Sequence, residues 1–402
     1  MKSEEIIAAE ETYGANVYAK RPIIFYKGDK ATIWDIEGRE YIDCTGSYGS
    51  CLIGYCHPRV TRAIVNQAAE LSSCHGFAYT QTRAELMKKL VALAPKGLEK
   101  VFISNSGAES VECAIKIARK FTKKKEIVAM VGGFHGKTMG ALSATWSRRY
   151  REAFQPLVPG FKHVPYGNLE KAAEALSSET AAVIVEPIQG ESGVKLPPEG
   201  YLEGLRELTS KKDILLIMDE VQTGFGRTGK VFASEHWRVT PDILCAAKGI
   251  AGGLPIGVTL GRIDVMSCLS RGEHTSTYGG NPIAAAAASA TIDIILEENL
   301  PQRASELGRK FLKKLEGIKS RLKTVREVRG LGLMLGVESR FDVYDIITGC
   351  ASKGVLVLDA GRTVIRLLPP LSITEEQVDK ASDIMGEVIE EKERAVQPGS
   401  AS

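Results

Sequence analysis

The sequence predicts an α/β protein with a large domain on a mostly parallel sheet and a smaller α+β domain beside it. In the middle of the chain, short apolar runs alternate with longer amphipathic stretches, which is typical of strands joined by helices that cover both faces of a sheet. After about residue 300 this alternation gives way to charged helical patterns and short apolar runs, which indicates a second unit.

Six apolar runs in the middle of the chain have the length of buried strands. They are KVFIS (100–104), EIVAMV (126–131), AAVIVE (181–186), ILLIMD (214–219), DILCAA (242–247) and IGVTLG (256–261). Helical patterns lie between several of them, for example at 108–123 and 197–212. Ligands of such sheets bind at the carboxyl ends of the strands, so the residues that follow these runs are candidates for a site.

We expect residues 57–300 to form the large domain and residues 301–402 the small one. Residues 1–56 contain a hairpin pattern, ATIWDIEGREYIDC (31–44), and are expected to join the small domain. The C-terminal region is expected to hold a helix at 302–319, the run VREVRGLGLMLGVE (325–338), a second helix, VLVL (355–358), VIRLL (364–368) and a final helix.

Composition excludes some classes of protein. A net charge of +3 is too small to indicate a nucleic-acid binder, and no apolar run has the length of a membrane span. The eight cysteines contain no C-x-x-C pair, so no metal centre or dithiol motif is predicted and the thiols are expected to be reduced and mostly buried. With an acidic N-terminus that lacks a signal-peptide pattern, these features predict a cytoplasmic protein.

Two stretches suggest places for a phosphate and a flat ring. In FISNSGAES (102–110), a capping-box pattern opens a helix at Gly107 and Ala108, and helix-start amides can bind an anion. GGFHGKTMG (132–140) fails as a P-loop because Val131 stands where the first glycine is required. Its aromatic residue, Phe134, lies where it can stack on a ring, although a core aromatic and a simple helix cap are the alternatives.

Ionisable residues follow two of the predicted strands. Asp219 and Glu220 end an apolar run in LLIMDEVQTGFGRTG (215–229), where they either mark a strand that leaves the core or direct a carboxylate at a buried ligand. Lys248 follows another run in CAAKGIAGGLPIG (245–257). A lysine there either extends to the surface or has a lowered pKa and forms a Schiff base.

Two further stretches carry weaker signals. HTSTYGGNP (274–282) supplies the hydroxyl groups of Ser276 and Thr277 before a glycine turn. VIRLLPPL (364–371) places Arg366 inside an apolar strand, where a buried guanidinium requires a partner and a bidentate carboxylate fits best.

Together, a phosphate site, a stacking aromatic, a strand-end carboxylate and a strand-end lysine are the groups that pyridoxal 5'-phosphate requires. The lysine would hold the cofactor through a Schiff base. The carboxylate of Asp219 would keep the pyridine nitrogen protonated, so that the ring accepts electrons from the breaking C–H bond of the substrate. The apolar approach to Asp219 would strengthen that ion pair.

The motifs, taken in order, resemble those of the class-III aminotransferases of PLP fold type I. They are NSGAES, FHGKT, EPIQGESG, DEVQTGFGRTG, AAKGIAGGLPIG, HTSTYGGNP and VIRLLPPL. The resemblance covers nearly the whole chain and implies that family's fold, with a mostly parallel seven-stranded sheet. It is strongest to the acetylornithine branch. ATWSRRYREAFQPLV (144–158) and AGRTVIRLLPPL (360–371) are similar to lysine-biosynthesis enzymes that act on substrates tethered to an amino-group carrier protein, LysW.

The resemblance implies roles for individual residues. Lys248 would form the Schiff base and carry the proton between substrate and cofactor, and Asp219 would pair with the pyridine nitrogen. The other cofactor contacts would come from Gly107 and Ala108 at the phosphate, Phe134 and Val221 on the ring faces, Gln222 at the phenolic oxygen, and Thr277, which would reach the phosphate from the neighbouring subunit of a homodimer.

Substrate binding is implied at Lys137, Glu191, Ser276 and Arg366. Arg366 would hold the α-carboxylate of glutamate or 2-oxoglutarate, and Glu191 would cover Arg366 when an ω-amino substrate is bound. Lys137 is a departure, because the acetylornithine branch usually has arginine there to grip the distal carboxylate, and lysine lacks the two-pronged geometry.

The implied activity is an ω-aminotransferase of lysine or arginine biosynthesis. It would move a terminal amino group between glutamate/2-oxoglutarate and a semialdehyde of acetylornithine or of carrier-bound lysine or ornithine. The alternative within the family is ornithine, 4-aminobutyrate or another ω-amine as substrate. The basic stretches KFTKKK (120–125) and SRRYR (147–151) are candidate contacts for an acidic carrier protein, and solvated surface is the other interpretation.

Overall fold

The computed structural model describes residues 1–396 of the chain. Its strands are β1 Phe25–Asp29, β2 Thr32–Asp35, β3 Glu40–Asp43, β4 Lys100–Ser104, β5 Glu126–Met130, β6 Phe161–Val164, β7 Thr180–Val185, β8 Leu215–Asp219, β9 Ile243–Ala246, β10 Gly257–Gly261, β11 Val325–Leu331, β12 Met334–Ser339, β13 Val355–Leu356, β14 Leu358–Asp359 and β15 Val364–Leu367. Its helices are α1 Ser3–Tyr13, α2 Gly46–Gly49, α3 Pro58–Glu70, α4 Gln81–Leu93, α5 Gly107–Thr122, α6 Met139–Ala144, α7 Arg148–Arg151, α8 Leu169–Ala175, α9 Tyr201–Lys211, α10 Ile263–Met266, α11 Pro282–Glu297, α12 Leu300–Arg321, α13 Tyr344–Ser352 and α14 Glu375–Val396.

The largest sheet has seven strands in the order β4-β10-β9-β8-β7-β5-β6. Its pairs are parallel except where β10 runs antiparallel to both β4 and β9. The predicted large, mostly parallel sheet is therefore confirmed, and all six predicted strands are present. The seventh, β6, was not predicted, because its sequence FKHV mixes polar and apolar residues at the edge of the sheet.

Alternate residues of the central strands face two separate helical layers. Ile217 of β8 belongs to an apolar cluster with α5, whereas its neighbours Leu216 and Met218 belong to a cluster with α9. Every residue of β7 and β8 is buried, which explains their nearly continuous apolar sequences. Burying each large aliphatic side chain stabilises the fold by roughly 1.5–3 kcal/mol, so the sheet is a rigid base for residues at its edge.

The remaining strands form two smaller sheets. One has the order β11-β12-β15-β14, and the other the order β1-β2-β3-β13. The predicted hairpin at 31–44 is present as β2 and β3, and β3 pairs in parallel with β13 of the C-terminal region. The domain boundaries at 56 and 300 stay predictions, and residues 397–402 of the proposed small domain lie outside the described residues.

One helix start differs from its prediction, whereas the state of the cysteines agrees with it. The helix expected at 197–212 begins only at Tyr201, because Pro197 and Pro198 precede it and Gly200 adopts a left-handed φ of 73°. All eight cysteines are free and five of them are buried, as predicted. In the described part of the chain, no helix is both long enough and apolar enough to cross a membrane.

Candidate active site

A cavity of about 380 Å³ opens at the carboxyl edge of the large sheet. Its walls come from the ends of β4, β5, β7, β8 and β9, whose residues there leave the sheet at the same side. The predicted site residues that line the cavity are Gly107, Ala108, Phe134, Glu191, Asp219, Val221, Gln222 and Lys248. These eight predicted residues are spread over positions 107 to 248 of the sequence, and the fold brings them together at one cavity.

The two adjacent acids at the end of β8 have different surroundings. Asp219 lines the cavity and is 4% exposed; its Oδ1 accepts from the amide of Val221 at 3.0 Å. Glu220 is fully buried and accepts from the hydroxyl of Thr223 and the amides of Ala233 and Ser234, at 2.7–2.8 Å. Asp219 is therefore the acid available to a ligand, whereas Glu220 fixes the glycine-rich segment that follows it.

His135 contacts the second oxygen of Asp219 and was missed by the sequence analysis. Its Nδ1 lies 2.7 Å from Oδ2 of Asp219, and both side chains are buried. Burial lowers the pKa of His135, but the neighbouring carboxylate more than offsets burial and raises it above its ordinary value. Its position directly after Phe134 was the available signal. The contact with His135 therefore fixes the orientation of the Asp219 carboxylate in the cavity.

Helix α5 begins with backbone groups that are open to the cavity. The Ser106 hydroxyl accepts from the amide of Glu109 at 3.2 Å, which confirms half of the predicted capping box. The Glu109 carboxylate, however, accepts from the amide of Asn105 instead of Ser106. Within the described residues, nothing accepts a hydrogen bond from the amides of Gly107 and Ala108. These are the orphan donors of a helix start, and they are suited to an anion.

The amine of Lys248 enters the same cavity from the end of β9. Lys248 has a left-handed φ of 43°, an uncommon conformation for a residue with a side chain, and it begins a short 3₁₀ turn. Burial lowers the pKa of Lys248, against the opposing effect of nearby Glu191 and with a further contribution from Arg366. More of this amine is consequently neutral, and able to attack a carbonyl, than in an exposed lysine.

Two apolar groups border the space next to this amine. Phe134 packs edge-on against Tyr150 with ring centroids 5.6 Å apart, which fixes its plane. Val221 faces the start of α5, where a Cβ atom on Gly107 would lie 2.7 Å from Val221 Cγ1. Glycine is required at 107 because any side chain would displace Val221, so the backbone of α5 and the valine form one close surface.

Glu186 follows β7 and carries a strongly shifted pKa. Its two carboxylate oxygens accept from the amide of Phe134 at 2.8 Å and from the amide of Gly190 at 3.3 Å. Burial raises its pKa to about 7, opposed by His135 and reinforced by Asp219. The structure shows that Glu186 positions Phe134 and also begins the loop that carries Glu191.

A charged pair closes the side of the cavity that faces the smaller sheet. Arg366 of β15 is fully buried, and its Nη1 donates to Glu191 Oε1 at 2.6 Å and to Gln222 Oε1 at 3.3 Å. The predicted carboxylate partner is present, but it is bound through one nitrogen instead of the expected two. Burial raises the pKa of Glu191, yet Arg366 and Lys248 together bring it below the ordinary value. Arg366 Nε has no partner among the described residues.

Tyr48 adds an aromatic group that the sequence analysis did not identify. The guanidinium of Arg366 lies 5.8 Å from the centroid of the Tyr48 ring. Tyr48 and Ser47 both have left-handed φ angles, between two glycines in the same region of conformation space. Strained non-glycine residues are concentrated at functional sites. The signal was the glycine-flanked GSYG segment just after the N-terminal hairpin.

Four of the predicted site residues do not line the cavity: Arg366, which lies behind Glu191 and Gln222, and three residues farther out. Lys137 is exposed, and its ammonium lies 4.9 Å from the centroid of the Tyr150 ring. Ser276 accepts from the side-chain amide of Asn105, a cavity residue, at 3.1 Å. Thr277 is exposed on the surface of this chain. The structure of one chain therefore brings eight of the predicted site residues to the cavity but leaves Lys137, Ser276 and Thr277, the last a predicted cofactor contact, at the rim or outside it.

The arrangement suits an anionic, flat ligand that carries a carbonyl group. Free helix-start amides can bind its anion, Phe134 and Val221 can flank its plane, and an amine of lowered pKa can attack its carbonyl. Within residues 1–396 no cluster of three metal-ligating side chains was found.

Comparison with known proteins gave consistent matches. The family model for class-III aminotransferases matches residues 13–389. An acetylornithine aminotransferase of Methanothermobacter thermautotrophicus is 46% identical over 97% of this chain and 99% of its own length. A LysW-aminoadipate semialdehyde/glutamate semialdehyde transaminase of Sulfolobus acidocaldarius is 41% identical over 92% of this chain and 96% of its own.

Among solved structures, the ornithine aminotransferase of Toxoplasma gondii superposes with a TM-score of 0.95 at 34% identity, covering 98% of this chain and 96% of that one. A second structure of that parasite protein is described as having partial occupancy of PLP at its active site. Sequence and fold comparisons therefore agree over almost the whole chain.

Proposed function

Because the chain belongs to the class-III aminotransferase family and is thus a PLP-dependent transaminase, we propose that it is an ω-aminotransferase. Its reaction moves a terminal amino group between glutamate/2-oxoglutarate and a semialdehyde of acetylornithine or of carrier-bound lysine or ornithine. The single observation that carries this assignment is the pairing of Arg366 with Glu191. An arginine that a neighbouring carboxylate can cover allows one site to accept two substrates. One substrate places its α-carboxylate against the arginine, and the other does not.

The cavity residues fit pyridoxal phosphate. The unpartnered amides of Gly107 and Ala108 would hold its phosphate, and the missing side chain at 107 leaves the backbone accessible. Asp219, supported by His135, would hold the ring nitrogen, with Phe134 and Val221 against the ring. When bound, the cofactor supplies an aldehyde for the amino group and a ring that withdraws electrons from the substrate Cα–H bond.

The protein supplies an amine and two charges to the reaction. Lys248 would bind the cofactor covalently and then, as a free amine of lowered pKa, accept and return the substrate proton. Arg366 would bind the α-carboxylate of glutamate, for which Glu191 must rotate away. When the ω-amino substrate enters, Glu191 would pair with Arg366 and neutralise its charge. The terminal amine of that substrate, instead of its carboxylate end, would then reach the reacting position.

Glu186 and Gln222 support this division of the site. Glu186 fixes the amide of Phe134 and the beginning of the Glu191 segment, and Gln222 lies between Arg366 and the proposed ring position. Gln222 would donate to the phenolic oxygen of the cofactor while its carbonyl oxygen accepts from Arg366. Ser276 would act indirectly, through Asn105.

We propose further that the enzyme is a cytoplasmic homodimer with shared active sites. The exposure of Thr277 in a single chain supports a role at the phosphate site of a neighbouring subunit. Free, mostly buried thiols support a reducing compartment. An acidic amino-group carrier protein is the proposed macromolecular partner, supported by the exposed side chains of Arg148 and Arg149 in helix α7.

An amino-donor panel tests the proposed reaction. Purified holoenzyme receives acetylornithine, ornithine, 4-aminobutyrate or carrier-bound lysine as donor, with 2-oxoglutarate as acceptor. We expect glutamate to form fastest with acetylornithine or with the carrier-bound substrate. If both are ignored and 4-aminobutyrate or ornithine reacts well, the branch assignment is wrong although the enzyme is still an ω-aminotransferase. If no donor produces glutamate, the proposed function itself is wrong.

A further inference from the structure

Two arginines and one glycine occupy a single row across the smaller C-terminal sheet. Arg329 of β11 pairs with Gly336 of β12, and Gly336 pairs with Arg366 of β15. Directly opposed residues of antiparallel strands project from the same face of a sheet. The side chains of Arg329 and Arg366 therefore flank a gap left by the glycine between them.

The segment that carries Glu191 lies over this gap. A Cβ atom on Gly336 would come within 3.2 Å of Val194 Cβ and 3.3 Å of the Gly193 carbonyl oxygen. Glycine at 336 thus allows residues 187–195, called the Glu191 loop, to approach the sheet backbone. The loop is closed on itself by two hydrogen bonds of 3.0 Å between Gln189 and Lys195.

The large sheet holds one side of the Glu191 loop. The side-chain amide of Gln189 donates to the carbonyl of Val131 at 2.9 Å, and the hydroxyl of Ser192 donates to the carbonyl of Gly132. These bonds fix both flanks of Glu191 against the segment that follows β5.

Arg329 holds the other side of the loop. Its Nε donates to the Gly193 carbonyl at 2.8 Å, while its Nη1 donates to Glu327 and Glu338 at 2.7 and 2.6 Å. The side chains of Arg329 and Glu338 are 11% and 20% exposed, so this pair is poorly screened, whereas Glu327 is half exposed. The next residue, Val194, has a left-handed φ of 53°, a rare conformation for a β-branched residue.

We propose that Arg329 is a positioning residue that fixes the Glu191 loop, so that Glu191 covers and uncovers Arg366 by side-chain rotation alone. One arginine of the row holds the backbone of the loop and the other receives its carboxylate. The inference rests on the proposed function, because it assigns a device for the exchange between the two substrates at the same site.

Release of the loop would affect the two half-reactions unequally. With a loose backbone, Glu191 covers Arg366 for a smaller fraction of the time. Arg366 then offers an uncovered charge to the ω-amino substrate, which binds by its carboxylate in an unproductive orientation. Glutamate binds when Arg366 is uncovered, so the rate of its half-reaction should change little. A residue with only a structural role would lower both half-reactions alike.

The test compares Arg329→Met, which keeps the aliphatic stem, with Arg326→Ala as a matched control. Arg326 lies on the same strand, contacts Glu338 at 3.4 Å and is 66% exposed. Single-turnover rates of the holoenzyme are measured with glutamate and with acetylornithine. For Arg329→Met we expect kcat/KM for acetylornithine to fall about tenfold and that for glutamate to fall less than twofold. Arg329→Lys, which keeps one donor, should restore part of the loss.

Hydrogen exchange provides a second readout that does not depend on turnover. The amides of Val194 and Lys195 form hydrogen bonds within the loop. Their exchange rates should rise in Arg329→Met and should stay the same in Arg326→Ala. An unchanged ratio of the two half-reactions, or the same change in Arg326→Ala, overturns the proposal. If Arg329→Met yields no soluble protein, the same measurements on Arg329→Gln test the role of Arg329. A wild-type enzyme that takes no amino group from glutamate contradicts the proposed function instead, and hydrogen exchange still decides the role of Arg329.

Discussion

The two walls of the cavity are built in different ways. The wall at the large sheet consists of residues at strand ends, such as Asp219 and Lys248, and Asp219 is held by contacts with His135 and Val221. The distal side consists of Lys137 and Ser276, which lie at or beyond the rim: Lys137 is exposed, and Ser276 contacts the cavity residue Asn105. The first wall suits a cofactor that is always the same, and the second suits substrates that differ.

This difference predicts a gradient of mutational effects. Groups that are preorganised by the sheet act on the reacting atoms, so their loss should reduce the rate of chemistry strongly. Groups that lie in solvent at the distal side contribute modest binding energy, so their loss should change KM by small factors.

The largest contrast is expected between the adjacent acids of β8. Asp219→Asn removes the charge that faces the cavity, and we expect kcat/KM to fall by at least roughly 100-fold with a small change in the free energy of unfolding. Glu220→Gln places an amide nitrogen against the amide donors of Ala233 and Ser234, and we expect the free energy of unfolding to fall by about 1–3 kcal/mol. Steady-state kinetics and denaturant unfolding of both variants measure the two effects.

The wild-type holoenzyme and a His135→Asn variant are the controls for this contrast. His135→Asn keeps a neutral donor beside Asp219 and should reduce kcat/KM less than Asp219→Asn does. Equal loss of activity in Asp219→Asn and in folded Glu220→Gln would contradict the separate roles of the two acids.

A much smaller effect is expected at Lys137. Lys137→Arg should lower KM about two- to fivefold for a donor with a distal carboxylate, because a guanidinium binds a carboxylate through two nitrogens. The value of kcat should not change. Initial-rate kinetics with acetylornithine measure this, with a primary alkylamine that carries no carboxylate as the control donor. An unchanged KM for acetylornithine removes Lys137 from the distal site.

The parts of the fold that the sequence predicted best are those buried on both sides. Strands such as β7 and β8 are almost entirely apolar because helices cover both faces. By contrast, β6 lies at the edge, where one partner strand suffices and polar residues are tolerated. The antiparallel direction of β10 depends on contacts far apart in the chain, which no local pattern reports.

For the site, motifs predicted the residues whose chemistry is unusual at their position, such as a lysine after an apolar strand. They missed His135 because histidine is common in many settings, and only its 2.7 Å contact with Asp219 reveals its role. They also missed the row of Arg329, Gly336 and Arg366, since cross-strand register joins residues nearly forty positions apart.

The most direct test of the central claim is chemical trapping at Lys248. Purified protein is supplied with pyridoxal phosphate, reduced with borohydride and digested, and the modified peptide is identified by mass spectrometry, with Lys248→Ala treated in parallel. The account predicts one cofactor mass on Lys248 in the wild type and none on the corresponding peptide of the variant. A cofactor held on a different lysine, or a wild-type chain that remains unmodified and colourless, would contradict it.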